Sequence, residues 1–243
     1  MNRLYHDAIF YPRERESLQE MTKAIDKKTK AKAIIVPHQD LRRCYSLYVE
    51  AFSHIIDPKR IIVISPIHSE LLMKDEGKFI FEGESGVVET PMGEVKISSL
   101  GLDKAEYYAE EEYAPELILQ YIASEYQDIE TCIAYVSIKS ADEAKKLSKL
   151  IAKWNDENTI FIISSNLTGK MMKEDMLKER DNASDMILSG EKLMDSYRKG
   201  RINVCGVGII DALNRSIDGK WHLIGLSEND ETTGHGAFYK EYV

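Results

Sequence analysis

The chain has 243 residues, 43% of them apolar and 30% charged, with a net charge of −9 at pH 7. That length and apolar share suit a single α/β domain over residues 1–243 with a sizeable core. The acid excess excludes general attraction to nucleic acid or an anionic membrane surface. No apolar run approaches the roughly 18 residues that a bilayer span needs. The N-terminal MNRLYHDAIFYPRERES has no apolar core of a secretory signal, so a cytoplasmic location is expected. Cys44, Cys132 and Cys205 are few, odd in number and widely spaced, which argues for free thiols in a reducing compartment.

In chain order, AKAIIVP (31–37) is a short apolar run closed by proline and predicts a buried strand. RRCYSLYVEAFSHII (42–56) has helical spacing, with Tyr45, Tyr48, Val49, Phe52 and Ile56 on one face. RIIVIS (60–65) is the next strand, so the three segments have the length of a βαβ unit. Residues 77–97 alternate and carry glycines, which predicts a hairpin; 102–126 predicts one or two helices with Pro115 in a first turn. TCIAYVSI (131–138) is a third strand. Ser140 followed by Glu143 is a capping-box pattern opening a helix to 154. TIFIISSN (159–166) is a fourth strand. Helices over about 183–199 and 205–216 follow, and KWHLIGLSE and GHGAFYKEYV close the chain as strands. The alternation predicts an α/β fold, a mainly parallel central sheet flanked by helices.

In such a sheet, ligands bind beyond the carboxyl ends of the strands. His38, His68 and Asn166 each fall just past a predicted strand end. If the first two strands are neighbours, His38 and His68 face each other across one spacing of about 4.8 Å. Two imidazoles on rigid strand ends are good metal-ligand material, set against the plain reading of hydrogen-bonded surface histidines. The prolines beside them end the ladders and stiffen the backbone. Cys205 starts a predicted helix, where a thiolate is favoured, although a cysteine there is also read as a small buried residue. Glu112 and Glu116 stand at helical spacing as a potential acid pair, against the plain reading of a solvated acidic helix start. No GxGxxG, GxxxxGK[ST] or GxSxG occurs, so no nucleotide cofactor or serine nucleophile is indicated.

Eight stretches in order, AIFYP, IIVPHQD, VISPIHSE, ETPMGEV, EYAPELILQYI, FIISSNLTG, CGVGIIDAL and GHGAFY, resemble the Memo-like family, protein B of the AmmeMemoRadiSam system. The likeness runs from about residue 9 to 239. It implies a fold like that of the class III extradiol dioxygenases and a metal centre of His38, His68 and Cys205. The family's usual aspartate, histidine and histidine are here Asn166, Gly169 and Tyr113, while Glu112 and Glu116 are kept. The resemblance thus implies a divergent member, with Asn166, Gly169, Tyr113, Glu112 and Glu116 lining a pocket. Asparagine cannot act as a base and glycine cannot ligate, so catalysis is expected to be reduced or altered. The cofactor expected is a divalent iron, copper or zinc ion. Two functions compete. One is a non-catalytic site for a metal, small ligand or peptide; the other is a dioxygenase-like oxidoreductase using the His/His/Cys trio. The family likeness also implies partnership with AMMECR1-like and radical-SAM proteins.

Overall fold

A computed structural model describes residues 4, 6–22, 25–68, 78–105, 111–126, 128–227 and 232–242. Among these residues the helices are α1 (Arg15–Met21), α2 (Leu41–Phe52), α3 (Ala114–Glu125), α4 (Ala141–Trp154), α5 (Lys173–Ser189), α6 (Leu193–Arg198) and α7 (Val207–Ser216). The strands are β1 (Ala31–Val36), β2 (Arg60–Pro66), β3 (Ile80–Glu82), β4 (Gly86–Thr90), β5 (Gly93–Ile97), β6 (Glu130–Val136), β7 (Thr159–Ser164), β8 (Trp221–Ser227) and β9 (His235–Glu241). They form one sheet in the order β4-β5-β6-β2-β7-β1-β9-β8, with β3 added against β6.

The centre of the sheet, β6-β2-β7-β1, is parallel, and β9 and β8 extend it antiparallel. The central strands are buried on both faces, as their continuous β-branched runs require. Alternate side chains serve two separate cores. Ile34, Val36, Ile61, Val63 and Ile162 face Tyr48 and Phe52 of α2 and Leu117 and Tyr121 of α3. Ala33, Ile35, Ile62, Phe161 and Ile163 face Leu147 and Ile151 of α4, Ile187 of α5 and Ile210 of α7. Each such Ile or Phe contributes about 1.5–3 kcal/mol by leaving water. The capping box opens α4 as expected: Ser140 accepts from the Glu143 N–H, and the Glu143 carboxylate accepts from the Ser140 N–H.

Several elements differ from the sequence expectation. The face of α2 toward the core is Leu41, Cys44, Leu47, Tyr48, Ala51 and Phe52, and Tyr45 is exposed. The buried Cys44 shifts the apolar stripe away from Tyr45. The helix expected over 183–199 is two helices, because Gly190 takes a left-handed conformation (φ 69°) and caps α5. In the 77–97 segment, β4 and β5 form the hairpin while β3 pairs with β6. Residues 102–105 are not helical, and Lys104 instead bridges to Glu82. Residues 106–110 of that expected helical stretch, with Glu110, and residue 77 of the hairpin lie outside the described residues. No described helix is long and apolar enough to cross a membrane.

Candidate metal centre

The two histidines do meet, but not across one strand spacing. β7 lies between β1 and β2, so their strands stand two spacings apart. β2 pairs with β7 only through Ile64, although it stays paired with β6 as far as Pro66. Pro66 therefore ends the ladder on the β7 side alone, and Ile67 N–H still donates to Val136 O at 2.8 Å. The two loops converge over the end of β7. The imidazoles of His38 and His68 sit edge to face, with centroids 4.7 Å apart.

Cys205 completes the group. It lies in the turn before α7, where its N–H donates to Asn166 O and the next N–H, of Gly206, donates to Ser165 Oγ. A Cβ on Gly206 would stand 2.8 Å from Ser165 Cβ, so glycine lets this turn press against the end of β7. One ligand atom from each of His38, His68 and Cys205 falls within 4.8 Å of the others. Cys205 is exposed, unlike Cys44 and Cys132, so the reading of it as a small buried residue fails.

Each histidine is aimed by its neighbours. His38 is 2% exposed, and its Nδ1 stands 2.8 Å from Ser164 Oγ. With Nδ1–H donating to that hydroxyl, the lone pair lies on Nε2, which is buried and has no hydrogen-bond partner. Burial, reinforced by the charges of His68 and His235, holds the His38 pKa well below its usual value, so the ring is neutral. His68 donates its backbone N–H to Glu112 Oε2 at 2.9 Å and sets Nδ1 against both oxygens at 2.9 and 3.1 Å. Its Nε2 is thus directed away from the carboxylate. Burial lowers the His68 pKa, but the hydrogen bonds it donates to Cys205 and Glu112, with their charges, outweigh it and bring the value to about 10.

Asn166 clamps the His38 backbone from both sides. Its Oδ1 accepts the His38 N–H at 3.0 Å and its Nδ2 donates to the His38 C=O at 3.3 Å. Tyr113 lies beside both rings, 6.0 Å from His68 and 6.1 Å from His38 between centroids, and its other side stacks on Phe10 at 3.8 Å. Burial first, then the charges of Glu112 and Cys205, pushes its phenol pKa up. Glu112 and Glu116 are both buried, which overturns the reading of a solvated helix start. Glu112 stands just before α3, whose cap is Tyr113, and takes His68. Glu116 instead accepts from the His6 N–H, faces His6 Nδ1 at 3.0 Å and accepts from Tyr11 Oη at 2.8 Å. The two acids therefore serve different elements. Gly169 packs against Asn203, where a Cβ would meet Nδ2 at 2.6 Å, and no described contact joins it to the trio.

Sequence reasoning missed Ser164 and His235. Ser164 was visible only as the first residue of the SSN ending. His235 was visible as GHG, and its flanking glycines explain its position. Leu167 N–H donates to Gly234 O and Gly234 N–H to Thr168 Oγ1, while Cβ atoms at 234 and 236 would clash with Arg180 and Leu167. The strand thereby comes close enough for His235 to act on His38.

The donor set fits a soft or borderline divalent ion, with two imidazoles, one thiol and an orphaned buried nitrogen. A tetrahedral ion with bonds of about 2.0–2.3 Å needs donors roughly 3.3–3.8 Å apart, so the trio must close by about 1 Å. The exposed turn at Cys205 and the half-exposed His68 are placed to do so.

The family model of Memo-like proteins matches residues 4–219. A MEMO1 family protein of Aquifex aeolicus (strain VF5) is 23% identical over 249 aligned positions, covering 93% of this chain and 91% of its own. The crystal structure of the uncharacterised protein JW3007 from Escherichia coli K12 superposes with a TM-score of 0.49 at 10% identity. That match covers 86% of this chain and 99% of that one.

Proposed function

The chain belongs to the Memo-like protein family, and from that premise we propose that His38, His68 and Cys205 hold a zinc, copper or ferrous ion in a divergent Memo-like site. The observation that carries this reading is His38 Nε2, a buried nitrogen without a partner beside a second imidazole and a thiol. Leaving such a group unpaired costs about 1–3 kcal/mol, and a metal bond removes that cost. When bound, the ion supplies Lewis acidity, and iron or copper also supplies one-electron redox chemistry.

The chain's own residues set what such a site can do. Ser164 orients the His38 ring, Glu112 orients His68, and Asn166 holds the His38 backbone in place. No carboxylate among them is left to take a proton from a substrate: Glu112 and Glu116 are engaged by His68, His6 and Tyr11. Tyr113, with a raised pKa, donates a hydrogen bond but is a poor base at neutral pH. These features favour a metal-binding site of altered or reduced catalysis over a dioxygenase-like oxidoreductase. The retained trio is the one feature that favours the oxidoreductase.

Calorimetric titration of chelator-stripped protein with zinc, cupric and ferrous ions tests the reading. Wild type is expected to bind at least one ion at one per chain, and His68→Ala and Cys205→Ser to bind it about 10–100-fold more weakly or not at all. Absence of binding at high micromolar metal, or unchanged binding in both variants, removes the metal site.

A further inference from the structure

A second group of reactive side chains lies at the opposite edge of the sheet, where the parallel strands begin. A cavity of about 320 Å³ is lined there by Lys32 of β1, Asp156 and Glu157 before β7, Asp218 after α7 and Tyr242 after β9. At about 30 Å³ per water, it has the volume of roughly ten waters. Lys32 is 6% exposed, and among the described residues its Nζ donates to one acceptor, the Asp156 carbonyl. The Nζ atoms of Lys30 and Lys32 stand 4.5 and 5.5 Å from the centroid of the same Tyr242 ring.

We propose that Lys32 is an amine nucleophile that condenses with a small uncharged aldehyde or ketone held in this cavity. The arrangement unites three conditions for that chemistry. The amine is withdrawn from bulk water, it has a cationic neighbour, and it borders a space large enough for a reactant. Burial lowers the Lys32 pKa; the Asp156 charge raises it and Lys30 lowers it further, with a net fall. A neutral amine has two N–H bonds and one lone pair. One N–H is engaged by the Asp156 carbonyl, and the lone pair is free for attack. It forms the new C–N bond as the carbonyl π pair moves to oxygen. Proton transfer from nitrogen to that oxygen gives a carbinolamine, and loss of one water gives the imine. Amine and carbonyl compound thus become imine and water, with no oxidant or reductant. A protonated imine keeps one N–H for the Asp156 carbonyl. Asp218, Glu157 and the Tyr242 phenol line the same space and can carry the protons. The acid side chains disfavour an anionic reactant, so a hydroxylated neutral aldehyde of a few carbons suits the cavity best.

The test needs no metal, so its result is separate from that of the metal site. Full-length protein is incubated with glyceraldehyde and cyanoborohydride at pH 7, and labelled lysines are mapped over time by peptide mass spectrometry. Lys32 is expected to label several-fold faster than the exposed Lys146 and Lys178, because burial and the charge of Lys30 lower its pKa. Its labelling is expected to level off at lower pH than theirs. The charged and titratable groups facing it are Lys30, Asp156, Glu157, Asp218 and Tyr242. Lys30→Gln is expected to slow labelling at Lys32 several-fold while leaving Lys146 unchanged. Lys32 labelling no faster than the exposed lysines, or with the same pH dependence, overturns the proposal.

Discussion

Replacing Asn166 by aspartate is the sharpest probe of how the site is held. Asn166 is 7% exposed and makes two bonds of opposite sense to one residue, accepting the His38 N–H at 3.0 Å and donating to its C=O at 3.3 Å. An ionised aspartate keeps the first bond and loses the second. The lost bond costs about 1 kcal/mol, and a carboxylate oxygen facing the carbonyl in a buried setting costs about 1–3 kcal/mol more. Metal-free Asn166→Asp is therefore expected to be about 2–4 kcal/mol less stable than wild type at pH 7.5. At about 2–4 °C per kcal/mol for a chain of this size, that is a fall in Tm of roughly 5–15 °C. The sign with pH follows from the protonated acid, which again carries one donor and one acceptor. The folded aspartate is expected above its unfolded value of about 3.9, so the deficit is absent below that value and grows as pH rises toward the folded pKa. Thermal melts of both proteins in chelator at pH 5 and 7.5 measure this. A variant melting within about 1 °C of wild type at pH 7.5 refutes the clamp, since a single lost hydrogen bond already exceeds that shift.

Glu112→Gln is expected to weaken zinc binding about 10–100-fold, because the amide no longer holds His68 as a carboxylate does, and to bring the His68 pKa down from about 10. Imidazole NMR titration and metal competition check both. In wild type, binding a metal at His68 releases its proton, so affinity is expected to rise up to about tenfold per pH unit from pH 6.5 to 8.5. Flat affinity over that range contradicts the raised pKa. In the metal-free protein, the same pKa makes the contribution of charged His68 to stability complete below about 6.5, and it is lost as pH rises through about 10. Gly208→Ala places a Cβ 2.4 Å from Ile138 Cγ2, so overpacking of about 1–3 kcal/mol is expected, relieved in the double variant with Ile138→Ala. A double-mutant melt without that relief locates the strain elsewhere. Ser140→Ala is expected to cost about 1 kcal/mol through the α4 cap and leave zinc affinity unchanged.

The parallel core was legible because its signal is local. Ala31–Val36, Arg60–Pro66 and Thr159–Ser164 are short, β-branched apolar runs, which favour strands covered on both faces. The capping box at Ser140 and the ends of β1 and β2 are local in the same sense. What escaped was decided by distance along the chain. The break at Gly190 depends on a backbone conformation that spacing does not reveal. The burial of Glu112 depends on His68, 44 positions away, and that of Glu116 on Tyr11, 105 positions away. Isolated in sequence, three acids in a row with a fourth at 116 read as a hydrated surface. The position of β7 between β1 and β2 is a topological choice that no single segment encodes.

That topological choice also explains why asparagine at 166 works. Because β7 ends between the histidine-bearing strands, residues 164–166 are the floor on which the site is assembled. Ser164 receives the His38 ring, Ser165 receives the Gly206 N–H, and Asn166 receives the His38 N–H while its carbonyl receives the Cys205 N–H. Three consecutive residues, through two side chains on His38 and one backbone carbonyl on Cys205, thus tie two of the three proposed ligands to one strand end. A carboxylate there would add charge near a bound cation and lose the donor that holds the His38 carbonyl. The amide makes the reverse choice: it gives up electrostatic attraction for a ligand whose backbone is already fixed. A site of this kind holds His38 in place before the metal arrives, so its affinity depends chiefly on how far the Cys205 turn and the His68 ring must move to close on the ion.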